Sequence, residues 1–195
     1  MIARQIETSA ILPAAEYVKV RADRRKRITE IKKNRRLEVG PFATFYFENY
    51  DTMLHQVHEM LFIEKGGAEQ IPDELAAYNP LIPRGSELVA TVMFEIDDPV
   101  RRARVLANLG GVEHHAFIRV GGEIVRGVPE DDQERSREDG KASSVQFIRF
   151  PFTAAQVAAF KGGAGDVVVG FDHPNYGHMA VMPPAVRAAL GEDFA

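Results

Sequence analysis

The sequence predicts an α+β domain in which a mostly antiparallel sheet is packed by helices. Three observations favour this class. Apolar residues recur with helical spacing in some segments and form short strand-like runs in others. Gly121-Gly122 separates two such runs by the length of a tight hairpin turn, and a long basic helix opens the chain. With 195 residues, 45% of them hydrophobic and 27% charged, we expect one domain over residues 1–195.

The N-terminal helix is predicted over Leu12–Arg36. Pro13 falls in its first turn, where a missing N–H group costs little. Apolar residues recur along this segment at spacings of three and four, and Arg24 falls inside that stripe. A buried guanidinium needs an acceptor, because an unpaired buried charge is very costly. Glu48 or Glu59 is the partner that we expect for Arg24.

The other elements follow from apolar runs, capping residues and breakers. Strands are predicted over Leu37–Val39, Phe42–Phe47, Glu87–Ile96, His115–Val120, Glu123–Arg126, Ser144–Phe150, Val167–Phe171 and Tyr176–Met182. Helices are predicted over Thr52–Lys65, Ile71–Ala77, Pro99–Leu109 and Thr153–Lys161, and a last helix begins at Pro183-Pro184. The segment 127–142 carries six acidic and three basic residues without apolar periodicity, so we expect an exposed loop there.

Several classes of protein are excluded by what the sequence lacks. Cysteine is absent, which rules out a disulfide, a cysteine nucleophile and a cysteine-ligated zinc site or iron–sulfur cluster in this chain. Without an apolar run of about eighteen residues or the apolar centre of a signal peptide, we expect a cytoplasmic protein with no membrane span. Phosphate-loop, dinucleotide-binding, nucleophile-elbow and zinc-protease motifs are also absent. The sequence assigns no cofactor.

Charge is distributed unevenly along the chain. The first 40 residues hold 11 Lys and Arg against 5 Asp and Glu, while the other 155 hold 13 against 23. A basic segment of this kind can bind nucleic acid or another anionic partner, and it can equally dock on an acidic part of its own protein. Phe42, Phe45 and Tyr46 could stack on bases, but they are more simply explained as core residues.

The most suggestive motif is the run from His55 to Glu59. On a helix His55 lies one turn from both His58 and Glu59, so two imidazoles and a carboxylate could converge on one metal ion. The two histidines point largely away from the apolar stripe of the predicted helix. A solvated or structural histidine pair is the simpler interpretation, and no metal site is assigned. Gln56 and Glu59 lie nearer the stripe, where they could reach a pocket beside the sheet.

A second cluster, from Asp172 to Tyr176, directly follows an apolar strand. Active-site groups often stand on such loops, although Asp-His-Pro is also an ordinary turn. His114 and His115 begin a predicted strand, so they face opposite sides and do not form a chelating pair. If the protein has an enzymatic activity, polar groups from distant segments are expected to meet in one pocket. The candidates are Glu48, Asn49, Gln56, Glu59, Tyr78, Asn79, Gln146, Asp172, His173 and Tyr176.

Several short motifs follow one another in a fixed order along the chain. They are Phe47-Glu48-Asn49, Gln56 with Glu59-Met60, the segment 78–83, Ser144 to Phe147 with Arg149-Phe150, and Asp172-His173-Pro174 with Tyr176. Together they resemble a bacterial domain-of-unknown-function family over nearly the whole chain. Genes of that family often stand beside those of rubrerythrin-like di-iron proteins and iron–sulfur oxidoreductases. The resemblance therefore implies an accessory role in electron transfer or peroxide defence, and it carries over no catalytic residue.

Three functions remain open at this point. The leading hypothesis is an accessory or interaction partner of a redox system, with a rubrerythrin-like or iron–sulfur protein as its partner. The alternative is a small-molecule-binding or metal-dependent enzyme that uses the polar pocket. The weaker alternative is nucleic-acid binding by the basic N-terminal helix. A homo-oligomer is compatible with all three.

Overall fold

A computed structural model describes residues 3–130, 141–163 and 165–195, and it confirms the predicted α+β class. Its helices are α1 (Ala14–Lys33), α2 (Tyr50–Glu64), α3 (Gly67–Tyr78), α4 (Pro99–Ala107), α5 (Ala154–Lys161) and α6 (Pro184–Gly191). Its strands are β1 (Arg36–Val39), β2 (Ala43–Phe47), β3 (Glu87–Phe94), β4 (Ala116–Val120), β5 (Glu123–Arg126), β6 (Val128–Pro129), β7 (Val145–Pro151), β8 (Val168–Phe171) and β9 (Met179–Val181). Among the described residues, no helix has both the length and the apolar character that a bilayer crossing requires.

The first sheet has the order β1-β2-β3-β7-β6 in the described part of the chain, and neighbouring strands are antiparallel. Its central strand β3 places Ala90 opposite Phe47 of β2 and Ile148 of β7. Leu88 and Ala90 belong to one core cluster and Val89 to another, because successive side chains of a strand face opposite ways. Both faces of this sheet are therefore covered.

A second sheet, with the order β5-β4-β8-β9, packs on one of those faces. The rings of Phe45 from the first sheet and Phe171 from the second lie 5.2 Å apart between their centroids. Each buried phenylalanine of this kind contributes about 1.5–3 kcal/mol of hydrophobic stabilisation. The predicted hairpin between β4 and β5 is confirmed, and Gly121 and Gly122 both adopt positive φ values, 58° and 86°, as such a tight turn requires.

Helices α1 to α3 and the N-terminal segment lie on the other face of the first sheet. Helix α2 begins with a capping box in which the Asn49 side chain accepts from the Thr52 N–H group and the Thr52 hydroxyl accepts from the Asn49 N–H group. Met53 and Val57 of α2 are buried in one cluster with Val89 of β3. Helix α2 thus attaches the helical layer to the sheet, together with Ile6, Leu81 and Ile82 of the same cluster.

Tyr176 ties the turn between β1 and β2 to the second sheet. Its hydroxyl donates to the Val39 carbonyl (2.8 Å) and accepts from the N–H groups of Phe42 (3.0 Å) and Ala43 (2.9 Å). Gly40 in this turn has a φ of +70°, and a Cβ atom there would lie 2.5 Å from a histidine ring atom. The turn therefore requires glycine at this position.

A buried arginine fastens the C-terminal segment to the first sheet. Arg35 and Asp193 are both largely buried and form a salt bridge. Arg35 also donates to the carbonyls of Phe47 (3.0 Å) and Glu48 (3.0 Å). The guanidinium is therefore compensated by a carboxylate and by backbone acceptors, which is the condition for burying it.

The prediction for Arg24 is wrong. Arg24 is half-buried, and Arg21, almost one turn earlier, binds Glu59 at 2.8 Å. Tyr17 and Ile28, which share the spacing of the predicted stripe, are the buried residues of α1, and Arg21 and Arg24 are both half-buried on either side of them. The apolar spacing therefore predicted the helix and its buried face, but it could not predict which of the two arginines reaches Glu59.

The structure differs from the predicted exposed loop 127–142 at both ends of that segment. Val128–Pro129 pair with β7 as an edge strand, and Ala142 is buried in the main core; the part from 131 to 140 lies outside the described residues. His114 and His115 do not begin a strand but end a short 3₁₀ helix, Val112–His115. Long-range contacts explain the ends of the segment 127–142, whereas local bonds such as that from the His114 N–H group to the Gly111 carbonyl (3.0 Å) form the 3₁₀ helix.

Candidate functional site

The polar residues that the sequence singled out lie on two sides of the first sheet. Those on the helical side belong to the ends or the inner faces of α2 and α3, and those on the other side follow β8 of the second sheet. They form separate hydrogen-bonded groups and do not share one cleft. The helical group comprises Glu48, Asn49, Gln56, Glu59, Tyr78 and Asn79, and the other group comprises Asp172, His173 and Tyr176.

Glu59 joins α2 to α1. Its carboxylate accepts from the Tyr17 hydroxyl (2.7 Å) and from two nitrogens of Arg21 (both 2.8 Å). The hydrogen bonds from Arg21 lower the pKa of Glu59 to about 2, although burial opposes that shift. Because the folded pKa lies below the ordinary value of 4.5, this carboxylate stabilises the fold above pH 4.5, and the contribution is lost as the pH falls towards 2. Burial, reinforced by Glu59, raises the pKa of Tyr17.

His58 is part of the same contact and is almost completely buried. Its Nδ1 lies 2.7 Å from the Leu54 carbonyl, so Nδ1 carries the proton, and its Nε2 accepts from the Leu12 N–H group at 3.0 Å. The imidazole also stacks on Tyr17, with 4.7 Å between the ring centroids. We call Tyr17, Arg21, His58 and Glu59 the α1–α2 joint. Burial lowers the pKa of His58, which fits a neutral ring with both nitrogens engaged.

The metal hypothesis for His55, His58 and Glu59 gains no support from this geometry. Neither nitrogen of His58 has a lone pair left for a metal ion, and Glu59 is occupied by Tyr17 and Arg21. His55 is half-buried, and burial lowers its pKa. Within the described ranges, no group of three or more His, Asp and Glu side chains is placed to hold a metal ion.

Glu48 connects α2 to the central strand. One carboxylate oxygen accepts from the Thr52 hydroxyl (2.6 Å) and the other from the Thr91 hydroxyl (2.8 Å). The side chain is almost fully buried. Both oxygens are thus used inside the protein, and the neighbouring Asn49 caps α2. These two candidates act as parts of the fold.

Three further candidates also make internal contacts. Gln56 lies beside Tyr78, and burial raises the pKa of the Tyr78 hydroxyl although Gln56 opposes that shift. Asn79 binds the backbone of Ile6 twice: its Oδ1 accepts from the Ile6 N–H group (2.7 Å) and its Nδ2 donates to the Ile6 carbonyl (3.1 Å). Asn79 therefore holds the N-terminal segment against the end of α3. Its side chain satisfies both backbone groups of Ile6, as a paired residue of a neighbouring strand would.

Gln146 faces the core between the two sheets. It lies opposite Val92, a member of the main core, and is fully buried. Its Nε2 donates to the Ser143 carbonyl (3.0 Å), while its Oε1 has no hydrogen-bond partner among the described residues. A buried acceptor without a partner costs free energy, and Gln146 stands apart from the other candidates.

Asp172 is the centre of an exposed cluster at the ends of β4 and β8. One carboxylate oxygen lies 2.9 Å from Nδ1 of His115, and the other lies 2.5 Å from a guanidinium nitrogen of Arg126. A carboxylate is an acceptor, so His115 donates through Nδ1 and its Nε2 points away from Asp172. Burial raises the pKa of Asp172, but the hydrogen bonds from Arg126 and His115 outweigh it and lower the pKa overall. We call His115, Arg126 and Asp172 the rim cluster.

His173 and Tyr176 complete the second group. The ring of His173 meets that of His115 edge to face, with 5.0 Å between centroids. Its Nδ1 accepts from the Asn175 N–H group (3.2 Å), and its Nε2 lies 3.3 Å from the Gly110 carbonyl. His173 is thus a buried turn residue, while Tyr176 holds the β1–β2 turn. A histidine oriented by a carboxylate, as His115 is, can accept a proton through Nε2, so the chemical capacity of this side lies in the rim cluster.

The candidates chosen from the sequence did not include four residues of these two groups, which are Tyr17, Arg21, His115 and Arg126. In the rim cluster, Arg126 could have been found, because the predicted hairpin register places it opposite Phe117, two residues after His115. The approach of Asp172 depends on the pairing of β4 with β8, which are far apart in the chain. In the joint, Tyr17 belonged to the apolar stripe of the predicted N-terminal helix and Arg21 to its basic residues, and neither pattern indicated Glu59 as a shared partner.

The outer face of α1 is basic and exposed. Lys19, Lys26 and Lys33 recur at intervals of seven residues, about two helical turns, and therefore form one stripe. The buried residues Tyr17 and Ile28 lie on the opposite side of the helix. We call this stripe the basic face of α1.

The fold and the two polar groups define an α+β protein with a two-sheet core, a helical layer attached through buried polar contacts, and an exposed basic helix. The chain matches the model of the family described as "Protein of unknown function (DUF3501)" over residues 5–194. It therefore belongs to that family.

A solved structure supports the same assignment. The crystal structure of a novel protein of unknown function from Burkholderia pseudomallei K96243 is similar to this chain, with a TM-score of 0.90 and 36% sequence identity. The match covers 98% of this chain and 100% of that one. Among proteins with a curated description, none matches.

Proposed function

We propose that this protein is an accessory protein that binds an acidic component of a redox system through the basic face of α1. The observation that carries the proposal is the exposure of Lys19, Lys26 and Lys33 on a long helix, turned away from the rest of the protein. The resemblance that the sequence showed implies a rubrerythrin-like or iron–sulfur protein as the partner. An iron–sulfur cluster would belong to that partner, because this chain has no cysteine.

The separation of charge along the chain supports an oriented encounter. Positive residues are in excess over the first 40 residues, and acidic residues exceed basic ones by ten over the rest. A protein with such a separation of charge is turned in the field of a charged partner before contact, which raises the association rate and disfavours wrong orientations. An acidic partner would therefore meet α1 first.

The nature of the basic face fits a weak, transient complex. Redox partners bury little surface and depend on charge. Lys26 lies 3.9 Å from Asp23 and Lys33 lies 2.7 Å from Glu30, and all four side chains are exposed. Exposed pairs of this kind contribute little to stability. Their ammonium groups can therefore turn to the carboxylates of a partner at little cost to the fold.

The test is a binding titration with an acidic iron–sulfur protein and a rubrerythrin-like protein, each oxidised and reduced, by calorimetry at about 0.01 M and about 0.15 M ionic strength. We expect binding that weakens as salt rises. The triple variant Lys19→Glu, Lys26→Glu, Lys33→Glu should weaken it by at least about tenfold. A matched control, Arg84→Glu, Arg104→Glu, Arg119→Glu, changes the net charge equally at exposed positions outside α1 and should retain binding.

Three results would count against the proposal. Failure to form a complex in either redox state removes the partner role. Equal weakening by the two triple variants removes the assignment to α1, since net charge alone would then explain the binding. Salt-dependent binding to single-stranded DNA that the α1 variant abolishes, without binding to either protein, supports nucleic-acid recognition instead.

A further inference from the structure

A cavity of about 600 Å³ opens between the start of α1, the last turns of α2 and the start of α3. Small-molecule pockets typically have volumes of about 300–1,000 Å³, so this one is large enough for a ligand. It lies on the inner side of α1 and is separate from the basic face. Its wall is mainly apolar and includes Ile11, Leu12, Val18, Leu61, Phe62 and Ile71.

The polar groups in this wall differ in whether they can bind a ligand. Tyr17 and His58 line the cavity, but the Tyr17 hydroxyl donates to Glu59 and both nitrogens of His58 are engaged. These two residues can therefore contact a ligand with the faces of their rings. Lys65 is exposed at the mouth and, among the described residues that line the cavity, is the one with a full charge. The charge available to a ligand is therefore positive.

The backbone of Lys65 is unusual for a lysine. It has a φ of 57° and a ψ of 27° at the end of α2, and it is the one residue other than glycine with a positive φ in the described part of the chain. This conformation costs free energy for any residue with a Cβ atom, and glycine is the usual residue at this position. A lysine at this position stabilises the fold less than a glycine would. This cost favours a binding role for the lysine side chain.

The start of α1 adds backbone N–H donors to the cavity wall. Ala14 and Ala15 also line the cavity, and Pro13 provides no side-chain cap for the helix. The first N–H groups of a helix lack partners within it and carry the positive end of the helix dipole. Lys65 therefore presents a positive charge, and this helix end presents N–H donors, at a cavity whose lining includes no carboxylate among the described residues; Glu16, in the first turn of α1, is not part of that lining.

From this combination we infer that the cavity binds a free amphiphilic carboxylate of the fatty-acid class. The aliphatic tail lies against the apolar wall, and the carboxylate lies near Lys65 and the start of α1. A neutral alcohol of the same length gains the tail contacts alone, and a cationic amphiphile meets repulsion at the mouth. This site is independent of the docking role proposed for the basic face.

The experiment compares dodecanoate, dodecanol and dodecyltrimethylammonium by calorimetry with the 195-residue protein, below the micelle concentrations of the two ionic amphiphiles and below the solubility limit of dodecanol. We expect one dodecanoate per chain, bound at least about tenfold more tightly than dodecanol, because a hydrogen bond to a charged group contributes more than a neutral one. Lys65→Gln should reduce the affinity for dodecanoate to that for dodecanol and leave dodecanol unchanged. Lys26→Gln, on the outer face of α1, should change neither.

A second variant separates binding from folding. Lys65→Gly should raise the melting temperature by about 2–4 °C, because glycine adopts this backbone conformation without strain, and it should still lose the preference for dodecanoate. Equal affinity for dodecanoate and dodecanol, or a Lys65→Gln variant that binds dodecanoate as the wild type does, would overturn the inference. So would association with anionic phosphatidylglycerol vesicles without binding of monomeric dodecanoate, since that result indicates a lipid surface as the ligand.

Discussion

The α1–α2 joint and the rim cluster have three kinds of chemical group in common and use them in opposite ways. Each region has one histidine, one arginine and one carboxylate. In the joint, His58 is 2% exposed and both of its nitrogens are bonded, whereas in the rim cluster the His115 side chain is 39% exposed and donates to Asp172 through one nitrogen. Residue type alone therefore does not identify a functional site. A site is identified by how exposed its side chains are and by which of their atoms remain free of internal hydrogen bonds.

Replacing the histidine by alanine in each region should produce the largest difference in the free energy of unfolding between the joint and the rim cluster. His58→Ala removes two hydrogen bonds and the stack on Tyr17, and it leaves the Leu12 N–H group without its acceptor. We expect it to lower the free energy of unfolding by about 2–4 kcal/mol. His115→Ala, the matched change in the rim cluster, should cost less than about 1 kcal/mol. Urea unfolding followed by circular dichroism measures both.

If the two variants lost the same free energy of unfolding, the contrast between a structural histidine in the joint and an exposed one in the rim cluster would be wrong. A small loss for His58→Ala would mean that the helical layer tolerates an unpaired Leu12 N–H group, for instance by moving the start of α1. Amide hydrogen exchange at Leu12 separates these cases, because the N–H group exchanges faster when its acceptor is lost. In the His115→Ala variant, exchange at Leu12 should remain slow.

A smaller difference in the free energy of unfolding is expected when the carboxylate of each region, Glu59 or Asp172, is replaced by the corresponding amide. Glu59→Gln keeps the shape of the side chain but weakens three hydrogen bonds, two of them to Arg21. We expect a loss of about 1–2 kcal/mol, after allowance for the partial solvent screening of this pair. Asp172→Asn, whose side chain is 42% exposed, should change the stability by less than about 1 kcal/mol.

Ionic strength sharpens the comparison of these amide variants. Screening acts strongly on exposed pairs and weakly on buried ones. The effect of Asp172→Asn should therefore vanish at about 1 M salt, while most of the effect of Glu59→Gln should persist. If salt removed both effects equally, the two carboxylates would share one electrostatic environment, contrary to the structure.

Local signals in the sequence predicted the elements well where capping and turn residues were present. The hairpin at Gly121-Gly122 and the starts of α2 and α5, which the structure shows to be capped by Asn49 and Thr153, depend on contacts within a few residues. The second sheet was not predicted, because β4 joins β8, some fifty residues later, and no local feature encodes that pairing. Strand β6 was hidden for the same reason, since its partner β7 lies beyond the acidic segment.

The candidate residues could be predicted as polar and near the core but not as parts of a site. Glu48 and Asn79 stand beside apolar segments in the sequence, as catalytic residues often do. The structure shows that their partners are a threonine pair and the backbone of Ile6. Which acceptor a buried polar group finds depends on tertiary packing, and a helical period cannot distinguish an internal partner from an empty cleft.

The pH dependence of stability should also distinguish the joint from the rest of the molecule. Burial lowers the pKa values of His58 and His55 below 6.5 in the folded protein. Below that pH the unfolded chain binds more protons than the folded one, so acid favours unfolding. The histidine contribution is fully present above pH 6.5 and decreases as the pH falls, by at most about 1.4 kcal/mol per pH unit for each histidine.

Urea unfolding at about pH 7.5, 6.5 and 5.5 tests this expectation, because the window brackets the ordinary histidine pKa. His58→Gln should be less stable than the wild type throughout, yet its stability should fall less between the two lower pH values, since one proton-binding difference has been removed. Glu59 stabilises the fold by the same amount throughout this window and so adds no pH dependence, because its folded pKa of about 2 and its ordinary value of 4.5 both lie below it. An unchanged slope in His58→Gln would mean that His58 is not the buried neutral ring on which the joint depends.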